Sequence, residues 1–192
     1  MIKKIKKIRE MTGAGVVDIK KSLEEAKGDE KKAIEIIRQK GLEKAGKKEG
    51  RDAKEGVVGV YVHTNNKIAA LVKVYCETDF VARNEEFQEL AKDLAMQVTA
   101  MHPKALRPED VSEEEIASQR KLWTQELEKE NKPKEILDKI MEGKENKLRK
   151  ELALISQVFV KDSKKTVEAH IKEKIAKIGE NIQIGEFAVM EI

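Results

Sequence analysis

The sequence predicts an α+β protein, with a small three-helix head ahead of an antiparallel sheet covered by helices. Three observations carry this reading. Through the first 45 residues, apolar side chains recur every three or four positions, the spacing of amphipathic helices. From residue 56 the period drops to two: Val58, Val60 and Val62 alternate with other residues, as do Ile68, Ala70, Val72 and Val74. The last third returns to a strand–helix–strand order that ends the chain.

Each element has a local cause. Ile2, Ile5, Ile8 and Met11 form the stripe of a first helix, broken at Thr12-Gly13-Ala14-Gly15. Val16, Ile19, Leu23 and Ala26 line a second helix that stops at Gly28. Asp29 caps a third by accepting backbone N–H bonds; Ala33, Ile34 and Ile37 face inward and Gly41 ends it. Basic residues mixed with Gly46 and Gly50 then place a linker at 46–55, between a head at 1–45 and a core at 56–192. Asn65-Asn66 tolerates positive φ and turns a β-hairpin over 56–76. Asn84 caps the next helix, whose face is Phe87, Leu90, Ala91, Leu94, Ala95 and Val98, closed by Pro103. Ser112 and Glu115 match a capping box ahead of Ile116, Trp123 and Leu127. Pro133 starts a shorter helix ended by Gly143. Leu152 to Val160 reads as a strand with a turn at Asp162-Ser163, followed by a helix over 167–178 and a strand over 182–190.

Composition narrows the class. The chain has 192 residues, 40% hydrophobic and 39% charged, enough apolar material for a core and too much for a disordered chain. Eleven glycines and three prolines exclude collagen-like and low-complexity classes. The net charge of +3 conceals an asymmetry: residues 1–51 hold 16 Lys/Arg against 9 Asp/Glu, while 52–192 hold 23 against 27. A basic head on an acidic body suits nucleic acid or an acidic protein partner. No apolar run approaches the roughly 20 residues that span a bilayer. The start of the chain lacks the continuous apolar core of a signal peptide, which points to the cytoplasm. Cys76, the only cysteine, excludes an intramolecular disulfide.

The patterns of several chemistries are absent. Gly13-Ala14-Gly15 opens like a dinucleotide cradle, but Asp18 stands where the third glycine belongs, and no Walker A sequence occurs. His63, His102 and His170 are isolated, with no paired cysteines or H-E-x-x-H, so no metal site is expected. Cys76 lies in an alternating apolar run, which suits a small core residue better than a nucleophile. Lys3-Lys4 and Lys6-Lys7 serve either as phosphate contacts or as a solvated helix face, with no RNA-binding signature beside them.

One stretch stands apart. In Thr78-Asp79-Phe80-Val81-Ala82-Arg83-Asn84, two apolar residues sit where a connector should be polar, flanked by Asp79 and Arg83. Either Phe80 turns inward as a core residue, or it is an apolar wedge held out to a partner beside a carboxylate.

That stretch, continued by Glu85-Glu86-Phe87, resembles the signature of the translation elongation factor Ts family. So do Arg9-Glu10-Met11-Thr12-Gly13-Ala14-Gly15, followed by Asp18 and Lys20-Lys21, and Lys177-Ile178-Gly179-Glu180-Asn181-Ile182. The resemblance covers essentially the whole chain, in order. It implies a guanine-nucleotide exchange factor for elongation factor Tu, the GTPase that carries aminoacyl-tRNA to the ribosome, rather than an enzyme. It also implies a ubiquitin-associated-like head and a dimerisation-type core. By this resemblance Arg9, Val16 and Val17 dock the head on the GTPase. Thr78, Asp79, Phe80 and Val81 reach its nucleotide site and disturb the magnesium ion and phosphate loop, so that GDP leaves. The chain itself is then expected to hold no cofactor, metal or nucleotide and to bind no nucleic acid or membrane directly. Val16-Val17 stands where the family often carries two methionines, and Ile19 where it often has cysteine. Gly185-Glu186-Phe187 lacks basic residues frequent at that place. The chain is a short form with a single core half, which implies a homodimer and a two-to-two complex with the GTPase. An RNA- or ribosome-binding protein using the basic head is the alternative.

Overall fold

The computed structural model describes residues 1–127 and 133–192. Helices α1 (Ile2–Thr12), α2 (Val16–Glu25) and α3 (Glu30–Gly46) form the head. They share one small core of Ile8, Ile19, Leu23, Ala26, Ala33 and Ile37. The expected four-residue stripe of α1 reduces to Ile8, which is fully buried, with Ile5 packed beside it; Ile2 and Met11 are exposed. Steps of three residues fall about 60° short of a full helical turn, so a stripe at that spacing winds off the inner face. Asp29 caps α3 as expected, its Oδ1 accepting from Lys31 N at 2.9 Å and Lys32 N at 3.1 Å. Gly41 does not end α3. A Cβ there would lie 3.1 Å from the Ala176 Cβ, so the glycine permits a close helix approach inside a helix that runs on to Gly46.

Beyond the head, β1 (Glu55–Val62) and β2 (Ile68–Cys76) form the expected hairpin, and β5 (Gln183–Glu191) completes a sheet of order β1-β2-β5. The turn closes by a His63 N to Ile68 O hydrogen bond of 2.9 Å, with Asn66 at a φ of 56°. Gly56 is required for space, since a Cβ there would stand 2.2 Å from the Val74 carbonyl oxygen. The connector after β2 contains a single turn of helix, α4 (Asp79–Ala82), where the sequence predicts a loop. Helix α5 (Glu85–Met101) then buries the expected face from Phe87 to Val98, and Asn84 Oδ1 accepts from Glu86 N at 2.8 Å.

Helices α6 (Glu113–Leu127) and α7 (Lys134–Leu152) come next. Ser112 caps α6, its Oγ accepting from Glu115 N at 3.4 Å. The expected stop of α7 at Gly143 is wrong, for the helix runs through it to Leu152. A mid-helix glycine costs only about 1 kcal/mol relative to alanine. Contacts beyond it outweigh that cost: Arg120 forks onto Glu145 at 2.5 and 2.8 Å, Arg149 pairs with Glu113, and Leu148 and Leu152 pack on Ala105, Val111 and Ile116.

The strand predicted over Leu152 to Val160 is also corrected. Leu152 ends α7, Leu154–Ser156 is a 3-10 turn, and β3 is only Val158–Phe159. Leu154 N donates to Ala105 O at 2.9 Å, and the Gln157 amide donates to Glu151 O at 3.0 Å, so one isolated bridge to Ala105 and a side-chain bond stand in place of a ladder. The reversal falls at Val160-Lys161, and Asp162-Ser163 opens β4 (Asp162–Thr166), antiparallel to β3. Helix α8 (Val167–Ile178) ends where expected, at Gly179 with φ 95°.

The chain divides into two compact units: Met1–Val58 with Val74–Ala91 and Ala169–Gln183, and Gly59–Lys73 with Lys92–Glu168 and Ile184–Ile192. Among the described residues, no helix is long and apolar enough to cross a membrane.

Cys76 ends β2 fully buried, its thiol donating to Thr78 O at 3.2 Å. Burial, and then the negative charge of Glu180, push the thiol from 9.0 up to about 11. The folded thiol therefore holds its proton where the unfolded one releases it, and this group's contribution to stability is lost as pH rises through that interval. Iodoacetamide at pH 8 should alkylate the native protein at least about a hundredfold more slowly than the urea-unfolded chain, from the thiolate fraction alone. Equal rates, followed by mass spectrometry, would contradict a buried, protonated thiol.

Candidate functional site

The connector after β2 carries the most exposed aromatic of the molecule. Of the four phenylalanines, Phe87 and Phe159 are buried and Phe187 is intermediate, whereas Phe80 is 81% exposed. The reading of Phe80 as an inward core residue is thereby overturned. Its neighbours divide the work of the turn. Ala82 is buried and anchors it, while Val81 and Asp79 are half-buried. Thr78 is the N-cap: its hydroxyl oxygen accepts from Val81 N at 3.4 Å, and Ala82 N donates to Thr78 O at 3.2 Å. Arg83 pairs with Asp79 at 3.1 Å across one helical turn, an exposed contact worth at most about 1 kcal/mol.

The turn is held from a distant part of the chain. Glu180 follows the stop of α8, and its Oε2 accepts from Glu77 N and Thr78 N, both at 3.0 Å. Its Oε1 accepts from the Thr78 hydroxyl at 2.7 Å. Asn181 N donates to Glu77 Oε1 at 2.6 Å, and the Asn181 amide donates to Arg51 O at 2.7 Å and Glu49 O at 3.4 Å. Lys48 Nζ reaches Gly179 O at 2.6 Å. The stretch after α3, which composition marks as linker, is thus tied to the end of α8 through these bonds. Glu180 and Asn181 stand within the third motif read in the sequence, but nothing local to them shows which backbone they serve. Only an acid and an amide placed directly after a helix-stopping glycine hint at it.

The other expected site residues lie at the corner between α1 and α2. Arg9 sits in the last turn of α1 and is exposed. Val16 and Val17 open α2, 47% and 66% exposed, large values for valine at the start of an amphipathic helix. Asp18 beside them accepts from Lys44 at 2.8 Å, and that hydrogen bond holds its carboxyl below the ordinary carboxylate range. This corner and Phe80 belong to one compact unit.

The three sequence motifs nevertheless meet. Gly13 has φ 67°, and a Cβ there would fall 2.5 Å from Lys177 Cγ, so the head motif lies directly against the α8 motif. Lys177 donates to Glu86 Oε1 at 2.7 Å and Lys174 to the same oxygen at 2.8 Å, which brings in the motif after Phe80. Partial burial works to raise the Glu86 pKa, but the two lysine hydrogen bonds outweigh it and hold the carboxyl below its usual range. Among the described residues, no group of three or more His, Cys, Asp or Glu side chains is arranged to hold a metal ion.

Comparison with known proteins agrees with the motifs. The family model described as Elongation factor TS matches residues 2–175. The Elongation factor Ts of Maridesulfovibrio salexigens is 48% identical over 184 residues, covering 96% of this chain and 89% of that protein. The Elongation factor Ts of Thermosipho melanesiensis is 49% identical over 185 residues, 96% of this chain and 94% of its own. That of Thermotoga neapolitana is 48% identical over 188 residues, with 98% and 94% covered. With its motifs in order and nearly its whole length matched, the chain belongs to the elongation factor Ts family of translation elongation factors.

Proposed function

We propose that the protein binds elongation factor Tu in its GDP form and speeds GDP release by inserting the Phe80 turn near the nucleotide site. The observation that carries this reading is Phe80 itself, an 81% exposed aromatic on a capped, anchored turn. An apolar ring held in water has free energy to release on docking, on the order of 1.5–3 kcal/mol for full burial. Asp79 adds a carboxylate at the same place, held by a surface pair with Arg83 that can exchange for a partner's group. Thr78 caps the turn, and Val81 beside the ring is half-buried. In the GTPase the intruding turn disturbs the magnesium and phosphate contacts on which GDP depends. Arg9, Val16 and Val17 provide a second, head-borne contact that sets affinity. Coupling is reciprocal: whatever factor of affinity the protein takes from GDP, GDP takes from the protein, each tenfold being about 1.4 kcal/mol. GTP then displaces the factor and completes the cycle.

The alternative of RNA binding by the basic head has less support. Lys7, Lys40 and Lys44 are engaged with Glu30, Glu25 and Asp18 inside the head itself, at 2.7, 2.6 and 2.8 Å. Self-association into a homodimer, and a two-to-two complex with the GTPase, belongs to the same proposal. Val60, Val62 and Leu71, all between 45% and 52% exposed, leave apolar area on the hairpin that a second copy would cover. Light scattering should give twice the chain mass at micromolar concentration, and a monomer there would contradict the dimer.

Phe80→Ala should slow stimulated release of a fluorescent GDP from elongation factor Tu by roughly tenfold to a hundredfold, the rate equivalent of the burial energy. Circular dichroism and thermal midpoint should stay close to wild type, because an exposed ring has little packing to lose. Unchanged release by the folded variant would remove Phe80 from the mechanism.

A further inference from the structure

We infer that Glu180 is the positioning residue of the exchange turn: it shapes the segment that presents Phe80 without touching the partner itself. This rests on the exchange reading above. Helix α4 has four residues, far too few to hold a helical conformation in water by its own hydrogen bonds. Its entry must therefore be fixed from outside, and the Glu180 carboxylate meets that need. Both of its oxygens are used, accepting Glu77 N, Thr78 N and the Thr78 hydroxyl at 3.0, 3.0 and 2.7 Å. The last bond also orients the hydroxyl so that its oxygen accepts from Val81 N, which is the cap of α4. One side chain thus sets two backbone amides and the N-cap rotamer directly ahead of Asp79 and Phe80. Asn181 buttresses the same place by bonding to Glu77 Oε1 at 2.6 Å. Hydrogen bonds to a charged acceptor are the stronger kind, and removing the acceptor strands three donors at once.

The assignment predicts a separation of rate from affinity. Glu180→Ala should lower the maximal rate of stimulated GDP release, since misplacing a working group by about 1 Å costs on the order of tenfold to a hundredfold. The half-saturating concentration of the factor should change far less, because the head contacts at Arg9, Val16 and Val17 do not involve Glu180. Glu180→Gln should restore most of the rate. Its carbonyl oxygen accepts the two amides, and its NH2 donates to the Thr78 hydroxyl oxygen, so geometry survives without the charge. Thr78→Val, which removes the hydroxyl and keeps the carboxylate, should resemble Glu180→Ala and also serves if the alanine variant does not fold.

The experiment uses the full chain carrying 4-fluorophenylalanine at position 80, with the fluorine resonance recorded before the GTPase is added and release kinetics measured afterwards. Wild type and Glu180→Gln should share one resonance, and the Gln variant should keep most of the maximal rate. Glu180→Ala and Thr78→Val should both change the shift or linewidth of the resonance from that of wild type and lose rate together. An unmoved resonance with an unchanged maximal rate in the folded alanine or valine variant would overturn the assignment, as would a Gln variant that behaves like Ala. If the wild-type protein fails to accelerate release, the exchange reading falls, while the resonance still decides whether Glu180 positions Phe80.

Discussion

A helical turn of four residues cannot pay its own nucleation cost in water, yet here one carries an exposed phenylalanine in a defined place. What holds it is the Glu180 carboxylate, 102 residues further along the chain. The turn consequently has its shape only when the end of α8 is already in position. Rigidity at the tip is borrowed from long-range structure, which lets the connector stay exposed without becoming a loose loop. An apolar side chain on a floppy segment would lose most of its docking energy to ordering; one on a fixed turn keeps it.

The same economy appears around Lys177. Its stem lies where a Gly13 side chain would have to be, and its amine meets Glu86, which Lys174 also reaches. Three segments far apart in sequence are tied by one lysine and one glutamate, and Gly13, the left-handed cap of α1, adds no Cβ beneath the lysine stem. The helix α1 cap next to Arg9 is tied in this way to the segment after Phe80, within one compact unit. In the proposed exchange, one of these exposed features would hold the partner while the other disturbs it.

Sequence periodicity made the helices of the head, the hairpin, α5 and α8 legible, because their apolar spacing and caps are local. It misjudged Gly41 and Gly143 for one physical reason: a helix stops at glycine only if nothing beyond it compensates. Packing at Ala176 and the pairs of Arg120 and Arg149 are non-local. The run from Leu152 to Val160 was misleading in the same way. Ala153, Leu154 and Phe159 are buried without a long strand, while Ala105 takes up the Leu154 amide that a ladder would need. At the candidate site, the residue types from Thr78 to Asn84 were visible as an anomaly, but the outward direction of Phe80 was not. That direction depends on Ala82 being buried and on Glu180, which no local pattern connects to Thr78.

The proposed exchange is an energetic coupling between this protein and GDP on elongation factor Tu, and linkage offers its most direct test. The affinity of the factor for the GTPase is measured with and without saturating GDP, and the affinity of GDP with and without saturating factor. Each ligand should weaken the other by the same ratio, and by more than about tenfold, or roughly 1.4 kcal/mol. A factor that binds equally tightly whether or not GDP is present would contradict it.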